Sequence, residues 1–483
     1  MEGFRGVRGL VVRSAAVVLA GSMAAVQVLS TALAWSGFAS PEYLPVGPQP
    51  VAVAAVGNGG SAVAVAVRGS NAIRIVDRGS TGALQLVSST AVGAGPDALT
   101  PVDVNGDGIT DLIVVANHDD NTVSVLCASH GIPYGNCQAP IPVVGGPDAL
   151  AVADVNGDGH PDVIVAGGTS GTLTVLPGTG GLTLSSASPA VSVGVDPVAL
   201  AAATLASGSP LVAVADAGSD DVRLLSPTAG VLAPVATQLL DASPSAVAVA
   251  SIVPGQLDLV VTTRAVSGAG NGVLSVIPLD SAGHPLSGVQ TRSIPPQPSG
   301  LVATDLDGNG GVDIAVSDET GTVTTLLNDG SGTLRADQAV QVGGDPVALA
   351  AAKLSTDGLV DLVSADATPG QIAVLAGQDA EISLPNTLRY NSTTVMTSNT
   401  QPLVITSTGI TPLSIYSVSG ASAPFSISSD GCSGVTVAPG STCTVDVTFA
   451  PVQVGVFHGA LTVRDNASTG LQSVALQGLA SAP

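Results

Sequence analysis

A small or polar residue, then Pro, then a run of alternating small apolar residues recurs at Pro50, Pro96, Pro147, Pro197, Pro244, Pro298 and Pro346, at a spacing of roughly 50 residues. The third unit shows the internal order most clearly. An apolar strand (Ala149–Val155) runs into an acidic loop, and a second strand (Asp162–Ala166) follows. A Gly/Thr/Ser turn, a third strand (Thr172–Leu176), a Gly-rich turn and a more polar fourth strand near Ala190–Gly194 complete the unit. Four short strands per unit predict one blade of a β-propeller, and seven units predict seven blades. Helices are not expected. The segment Glu42–Gly47 resembles the fourth strands of other units, such as Ile141–Gly146, yet no blade precedes it. It is therefore expected to supply the outer strand of the seventh blade, whose own pattern changes after Gln371–Ala376. Such closure removes the open edge of the ring.

Three of the loops between first and second strands are acidic: Asp103–Asp111, Asp154–Asp162 and Asp305–Asp313. Oxygen-bearing side chains stand at loop positions 1, 3, 5 and 9, with glycines where the backbone turns. That is the donor set of a hard cation such as Ca²⁺. The candidate ligands are Asp103, Asn105, Asp107, Asp111 and the Ile109 carbonyl in the first loop. In the second they are Asp154, Asn156, Asp158, Asp162 and the His160 carbonyl, and in the third Asp305, Asp307, Asn309, Asp313 and the Gly311 carbonyl. An EF-hand needs flanking helices and a carboxylate at position 12; that position holds Val114, Val165 or Val316. Metal-free Asx turns are the competing reading, but converging acidic groups call for a compensating cation. The other four blades begin the loop with Gly57, Thr204, Ser251 and Lys353. Around Lys353 the acidic pattern persists at Ser355, Asp357 and Asp361, so its ammonium is expected to stand in for the ion.

Residues 42–379 resemble the FG-GAP/VCBS repeats that also build the integrin α-subunit propeller. The resemblance implies that these loops bind Ca²⁺ structurally at the lower face. It places partners on the upper face, among the loops that precede the Pro-led strand and those that join strands two and three. The Phe-Gly pair that names the family is missing, and Tyr134 is the only aromatic between Leu44 and Asp379. The propeller core must then be built from Ala, Val, Leu and Ile.

From about residue 380 the chain turns Ser- and Thr-rich, with alternating strands at Leu403–Ser407, Leu413–Val418, Cys443–Phe449 and Ala460–Arg464. That predicts a β-sandwich. Gly431–Val463 and the terminal SVALQGLA resemble the choice-of-anchor D, or ASPM/SPD-2/Hydin-like, Ig fold. In that family a disulfide often stands where Cys432 and Cys443 fall. Phe425, Phe449 and Phe457 are expected to fill the sandwich core. The expected fold class is all-β: a signal over residues 1–34, a seven-bladed propeller over 35–379 and an Ig-like sandwich over 380–483.

Arg5, Arg8 and Arg13, the apolar run Ala15–Ala34 and the small-x-small site Ala32-Leu33-Ala34 read as a secretory signal. Its Gly, Ser and Gln content and the cleavage site favour removal over retention as a membrane anchor, and Ser481-Ala482-Pro483 is not a sorting tail. The expected location is extracellular or cell-surface. The cysteines form two local pairs, Cys127/Cys137 and Cys432/Cys443. Disulfides are expected in an exported chain, local pairing being one of the three connectivities that four cysteines allow.

The chain carries 13 Lys and Arg against 36 Asp and Glu, a formal net charge of −23. Nucleic acid and anionic membranes are therefore poor partners. No Gly-x-Ser-x-Gly elbow is present, and the five histidines, at 118, 130, 160, 284 and 458, lack a paired metal spacing. His118-Asp119-Asp120 is read as a solvated turn rather than a catalytic group, and no enzyme activity is expected. Asp97, Asp148, Asp196 and Asp345 beside the blade-starting Pro would gather on the upper face with Asp119, Asp120, Asp216, Asp220, Asp221, Asp318, Glu319 and Asp366. Such a rim serves solubility or attracts a basic or cation-bridged partner. The leading expectation is a secreted, Ca²⁺-stabilised, monomeric binding protein for an extracellular protein or surface polymer. A lectin-like propeller is the alternative, with scarce aromatics against it; a propeller lyase or hydrolase comes third.

Overall fold

The computed structural model describes residues 37–79, 82–128, 132–265, 270–307, 310–328, 330–355, 359–377, 382–408, 413–438, 440–465 and 471–483. The signal, Asn309, Asp357 and His130 lie outside the described residues. The chain forms two compact units, the first built from blade-like antiparallel sheets and the second from two packed sheets.

In the first unit each sheet is a meander led by a Pro-initiated strand: Pro50–Val56, Pro96–Val102, Pro147–Ala153, Pro197–Thr204, Pro244–Ala250, Pro298–Thr304 and Pro346–Ala352. These leading strands neighbour one another in sequence order, and Pro346–Ala352 also lies against Pro50–Val56, which closes the ring. In the seventh sheet Glu42–Pro45 pairs antiparallel with Gln371–Leu375, Tyr43 opposite Ala373 and Leu44 opposite Ile372. The N-terminal segment thus supplies the outer strand of blade seven, as its sequence predicts. In all seven blades the register shifts at the residue after the leading Pro. This bulge re-aims the side chain that follows the Pro.

Blades stacked face to face bury both sides of their inner strands, so these strands read as continuous apolar runs rather than as alternation. The second strands Ala62–Val67, Leu112–Asn117, Asp162–Gly167, Asp258–Thr263, Asp313–Asp318 and Asp361–Asp366 are buried at every residue. Outer strands such as Leu84–Ala91 and Leu334–Gln341 are largely exposed, and there the sequence turns polar. One core cluster joins blades seven, one and two through Ala54, Val65, Ile75, Leu99, Ile113, Val363 and Ile372. With Ala and Val in place of aromatic rings, neighbouring sheets approach closely. At Gly300 there is no room for a side chain: a Cβ would lie 2.7 Å from the Leu349 nitrogen of the next blade and 2.6 Å from Ser317 Oγ.

The second unit is a sandwich. One sheet runs in the order Ile382–Ser383, Asn399–Ser407, Thr442–Phe449, Phe425–Asp430. The other runs Thr387–Thr394, Leu471–Ser481, Gly455–Asp465, Leu413–Ser419, Val435–Val437. Phe425 and Phe449 stack at its centre, ring centroids 4.9 Å apart. The third ring against both is Tyr390, whose hydroxyl donates to the Val447 carbonyl at 2.8 Å. Phe457 is only half-buried, 5.8 Å from the Phe449 ring, because it sits near the start of its strand where the partner sheet ends. Cys127–Cys137 and Cys432–Cys443 are disulfide-bonded, the local pairing expected. Among the described residues no helix is long and apolar enough to cross a membrane.

The close approach at Gly300 makes it intolerant of any side chain. Gly300→Ala is expected to destabilise the protein by about 1–3 kcal/mol through overpacking, read as a lower midpoint in urea unfolding. An unchanged midpoint would show that adjacent blades can separate at no cost.

Candidate metal centre

Each acidic loop leaves the end of a leading strand and returns at the start of a buried second strand. In the first, Asp103 Oδ1 accepts the Gly106 N–H at 2.7 Å and Oδ2 the Gly108 N–H at 2.7 Å. Asn105 Oδ1 accepts from Asp107 and Asp107 Oδ1 from Ile109, both at 2.8 Å. Gly106 and Gly108 take φ of 76° and 83°, a region in which only glycine is unstrained. The second loop repeats the design. Asp154 accepts from Gly157 at 2.7 Å and from Gly159 at 2.8 Å, Asn156 Oδ1 from Asp158 at 2.8 Å, and Asp158 Oδ1 from His160 at 2.9 Å. The His160 N–H holds the Asp158 carboxyl below its ordinary range. In the third loop the carboxylates of Asp305, Asp307 and Asp313 converge, each offering an oxygen within 4.8 Å of the others.

Among the described residues the three carboxylates gather within 4.8 Å only in the third loop. In the first and second loops the aspartates at positions 1, 5 and 9 turn onto backbone N–H groups instead of converging, and Asn309 lies outside the described residues. The donors are all oxygens, and a carboxylate has about four lone-pair sites, so the N–H bonds leave acceptor capacity over. That chemistry fits a hard divalent cation. The Ile109 carbonyl is kept available by its surroundings. Thr110 N–H donates to the Gly57 carbonyl at 3.1 Å and Gly59 N–H to the Gly108 carbonyl at 3.0 Å. Ile109 and Asn58 therefore face each other as a pair that exchanges no hydrogen bond. Tyr134 braces the same seam. Its buried hydroxyl donates to the Thr110 carbonyl at 2.8 Å and accepts from the Gly57 N–H at 3.3 Å.

The last aspartate of the loop has a role that the motif does not reveal. Asp111 accepts the Val104 N–H at 2.8 Å, Asp162 that of Val155 at 2.9 Å, and Asp313 that of Leu306 at 2.7 Å. Asp258, in a blade without the other ligands, accepts from Ile252 and Val253 at 3.0 and 2.9 Å. Asp361 accepts from Leu354 and Ser355 at 2.8 and 2.9 Å. In five blades a buried carboxylate clamps the start of its loop, with or without a full donor set. Burial pushes Asp162 and Asp258 above the usual carboxylate range despite these bonds. Lys353 is exposed and forms no ion pair among the described residues. Asp361 is held by backbone N–H groups and by Ser355 Oγ at 3.1 Å, while Asp357, the other carboxylate of the expected ammonium stand-in, lies outside the described residues.

At the opposite end of the blades the expected acidic rim is largely internal. Asp97, Asp148, Asp216, Asp221, Asp318 and Asp366 are buried, while Asp119, Asp120 and Asp220 are exposed. Bulged Asp97 and Asp148 turn toward the preceding blade or turn, not toward solvent. Arg68 Nη1 donates to Asp97 Oδ1 at 2.5 Å and Nη2 to Asp119 Oδ1 at 2.9 Å. His118 Nδ1 lies 2.5 Å from Asp148 Oδ1. His118-Asp119-Asp120 forms the expected turn, with Asp119 and Asp120 exposed, but His118 is half-buried and hydrogen-bonded to Asp148 of the next blade rather than solvated. Asp366 accepts from Ser364 Oγ at 2.9 Å and Gln371 Nε2 at 3.4 Å, and its burial, with Asp345 nearby, pushes it up to about 6.

Two expected outcomes separate these roles. Asp258→Ala should cost about 1–3 kcal/mol by stranding two buried N–H groups, with the same loss in Ca²⁺ and in chelator. Asp103→Ala should lose more in Ca²⁺ than in chelator; equal losses would mean that the first loop holds no ion. Asp366 has the opposite sign to an ion-paired carboxylate. Its raised value, about 6, favours folding at low pH, and that contribution fades as pH rises from about 4 through about 6. Asp366→Asn should therefore raise stability near pH 8 by about 2 kcal/mol and leave it little changed near pH 4, followed by denaturant melts at both pH values. Equal effects at the two would place the carboxyl in an ordinary environment.

Two family models match parts of the chain. Residues 146–180 match the FG-GAP repeat, and residues 380–472 match the abnormal spindle-like microcephaly-associated ASPM-SPD-2-Hydin domain. No curated protein matches the chain. Among solved structures, a putative 6-phosphogluconolactonase from Bacteroides uniformis is 16% identical over 60% of this chain and 84% of that one, with a TM-score of 0.46. The complex of BBS1N with ARL6DN gives 14% identity over 70% and 97%, with a TM-score of 0.43. A functionally unknown protein from Desulfotomaculum acetoxidans gives 12% identity over 63% and 87%, with a TM-score of 0.43. The chain is a β-propeller that carries an FG-GAP repeat at residues 146–180, followed by a sandwich that matches the ASPM-SPD-2-Hydin domain over residues 380–472.

Proposed function

We propose that this protein is a secreted, non-catalytic binding protein whose propeller is stabilised by Ca²⁺ and whose upper, Pro-led end engages an extracellular protein or surface polymer. FG-GAP and ASPM-SPD-2-Hydin domains fit a binding role in general. The observation that carries the finer reading is the asymmetry of the ring. One end holds three oxygen-donor loops, two of them tied internally by their own backbone N–H groups. The other end leaves Asp119, Asp120 and Asp220 exposed. When bound, Ca²⁺ would neutralise converging carboxylates and fix the turn between two buried strands. Asp103, Asn105, Asp107 and Asp111, with the corresponding residues of the second and third loops, would hold it. The two disulfides are compatible with an oxidising compartment. The exposed carboxylates suit a basic or cation-bridged partner, and the protein is taken to act as a monomer.

Thermal melting of the full chain with and without chelator tests the metal half. Ligand at about a hundred times Kd adds roughly 2.7 kcal/mol per site, so Ca²⁺ should raise Tm by several degrees. Coincident melts would remove the cation from the account. For the partner half, the chain is assayed against cationic peptides and extracellular polymers. Binding to one of them should fall at least tenfold in Asp119→Asn/Asp120→Asn/Asp220→Asn; binding indifferent to that change would place the contact elsewhere.

A further inference from the structure

The turn between the second and third strands of blade four brings two buried carboxylates face to face. Asp216 and Asp221 are cross-strand partners in the register, 0% and 5% exposed. The same position in other blades is resolved differently. Asn117 opposes Thr122 and donates to its Oγ1 at 3.1 Å. Asp366 opposes Gln371, which donates to it. Asp318 opposes Thr322 and accepts the Thr320 N–H at 2.8 Å. In blade four alone among these an acid opposes an acid.

The surroundings neutralise the pair only in part. Asp216 Oδ2 accepts the Gly194 N–H at 3.1 Å, but its buried Oδ1 has no hydrogen-bond partner. The cation at hand is Arg223, whose Nε stands 3.5 Å from Asp216 and 3.7 Å from Asp221 and hydrogen-bonds neither. Ser219 Oγ donates toward Asp221 at 3.4 Å and accepts the Val195 N–H at 3.0 Å. The remaining charges around the turn are those of Asp196 and Asp220, with Arg264 lining the same cavity as Asp196 and Ala217. Two adjacent buried carboxylates that share one guanidinium at ion-pair distance cannot both stay ionised cheaply. A shared proton supplies the missing donor and removes the repulsion.

We infer that the Asp216–Asp221 pair is a proton-operated latch on the upper end of the propeller. With one proton shared between the two carboxyls, the turn is closed and the incoming Gly194–Asp196 segment is held on it through the Gly194 and Val195 N–H groups and through the Gly218 and Ala217 N–H groups of the turn, which donate to the Val195 and Asp196 carbonyls at 2.8 and 2.9 Å. Loss of that proton opens the turn and releases the segment. Burial and the neighbouring Asp221 carboxylate push Asp216 up to about 7, so the latch works near neutral pH. The device gates one stretch of the end to which a partner is assigned, but it stands whether or not that assignment holds.

Hydrogen exchange on the full chain at about pH 5.5 and pH 8.5, corrected for intrinsic rates, tests it. Protection of residues 194–196 should fall at least tenfold at the higher pH relative to residues 93–95, where neutral Asn117 occupies the same place. Asp221→Thr, which copies blade two, should keep the segment protected at both pH values; should that variant fail to fold, Asp221→Asn serves with the same expectation. Equal protection of the wild type at the two pH values overturns the latch. So does a pH response that survives the substitution, or one reversed by Ca²⁺ alone, which would make a metal rather than a proton the bridging group.

Discussion

A carboxylate buried at the start of the second strand, its oxygens turned onto backbone N–H groups of the preceding loop, holds the lower end of the propeller together. A tight loop entering a buried strand presents N–H groups that neither the sheet nor water can satisfy, and each one left orphaned costs free energy comparable to a lost hydrogen bond. Asp111, Asp162, Asp258, Asp313 and Asp361 answer that need from one structural position. Burial penalises the ionised form, as the raised values of Asp162 and Asp258 show, and the N–H bonds offset part of the penalty. Three loops add further carboxylates on this foundation, and in the third they converge within 4.8 Å.

The second constraint is steric. A ring whose inner strands are buried on both faces needs side chains small enough for sheets to interleave, and the runs of Ala and Val meet it. The same economy explains the near absence of aromatic rings. Tyr134, the exception, sits at a seam between blades and uses its hydroxyl as a two-sided bracket on Thr110 and Gly57. The sandwich solves the opposite problem, filling a wider space with Phe425, Phe449 and Tyr390.

Much of this was legible because repetition converts weak local signals into strong ones. A single Pro before an apolar run says little, whereas its return seven times locates every leading strand. The polar EYLP segment placed the closing strand correctly because the other blades display what a fourth strand looks like. What escaped depended on contacts distant in sequence. Asp97 and Asp148 read as surface acids, yet a bulge turns them inward to Arg68 and His118, about thirty residues away. Asp258 was not singled out, because in the sequence a ligand and a backbone clamp use the same residue at the same position. Tyr390 was passed over, while Phe457 packs against the core but stays partly exposed.

The central claim is that the clamp and the cation site are distinct layers: five blades carry the first, three the second. Counting Ca²⁺ bound per chain by equilibrium dialysis of the full protein tests it most directly. Three ions are expected, each lost singly in Asp103→Ala, Asp154→Ala and Asp305→Ala. A count of five would mean that the clamping aspartate alone makes a site, and a count of zero would mean that the loops are held by their backbone bonds and nothing else.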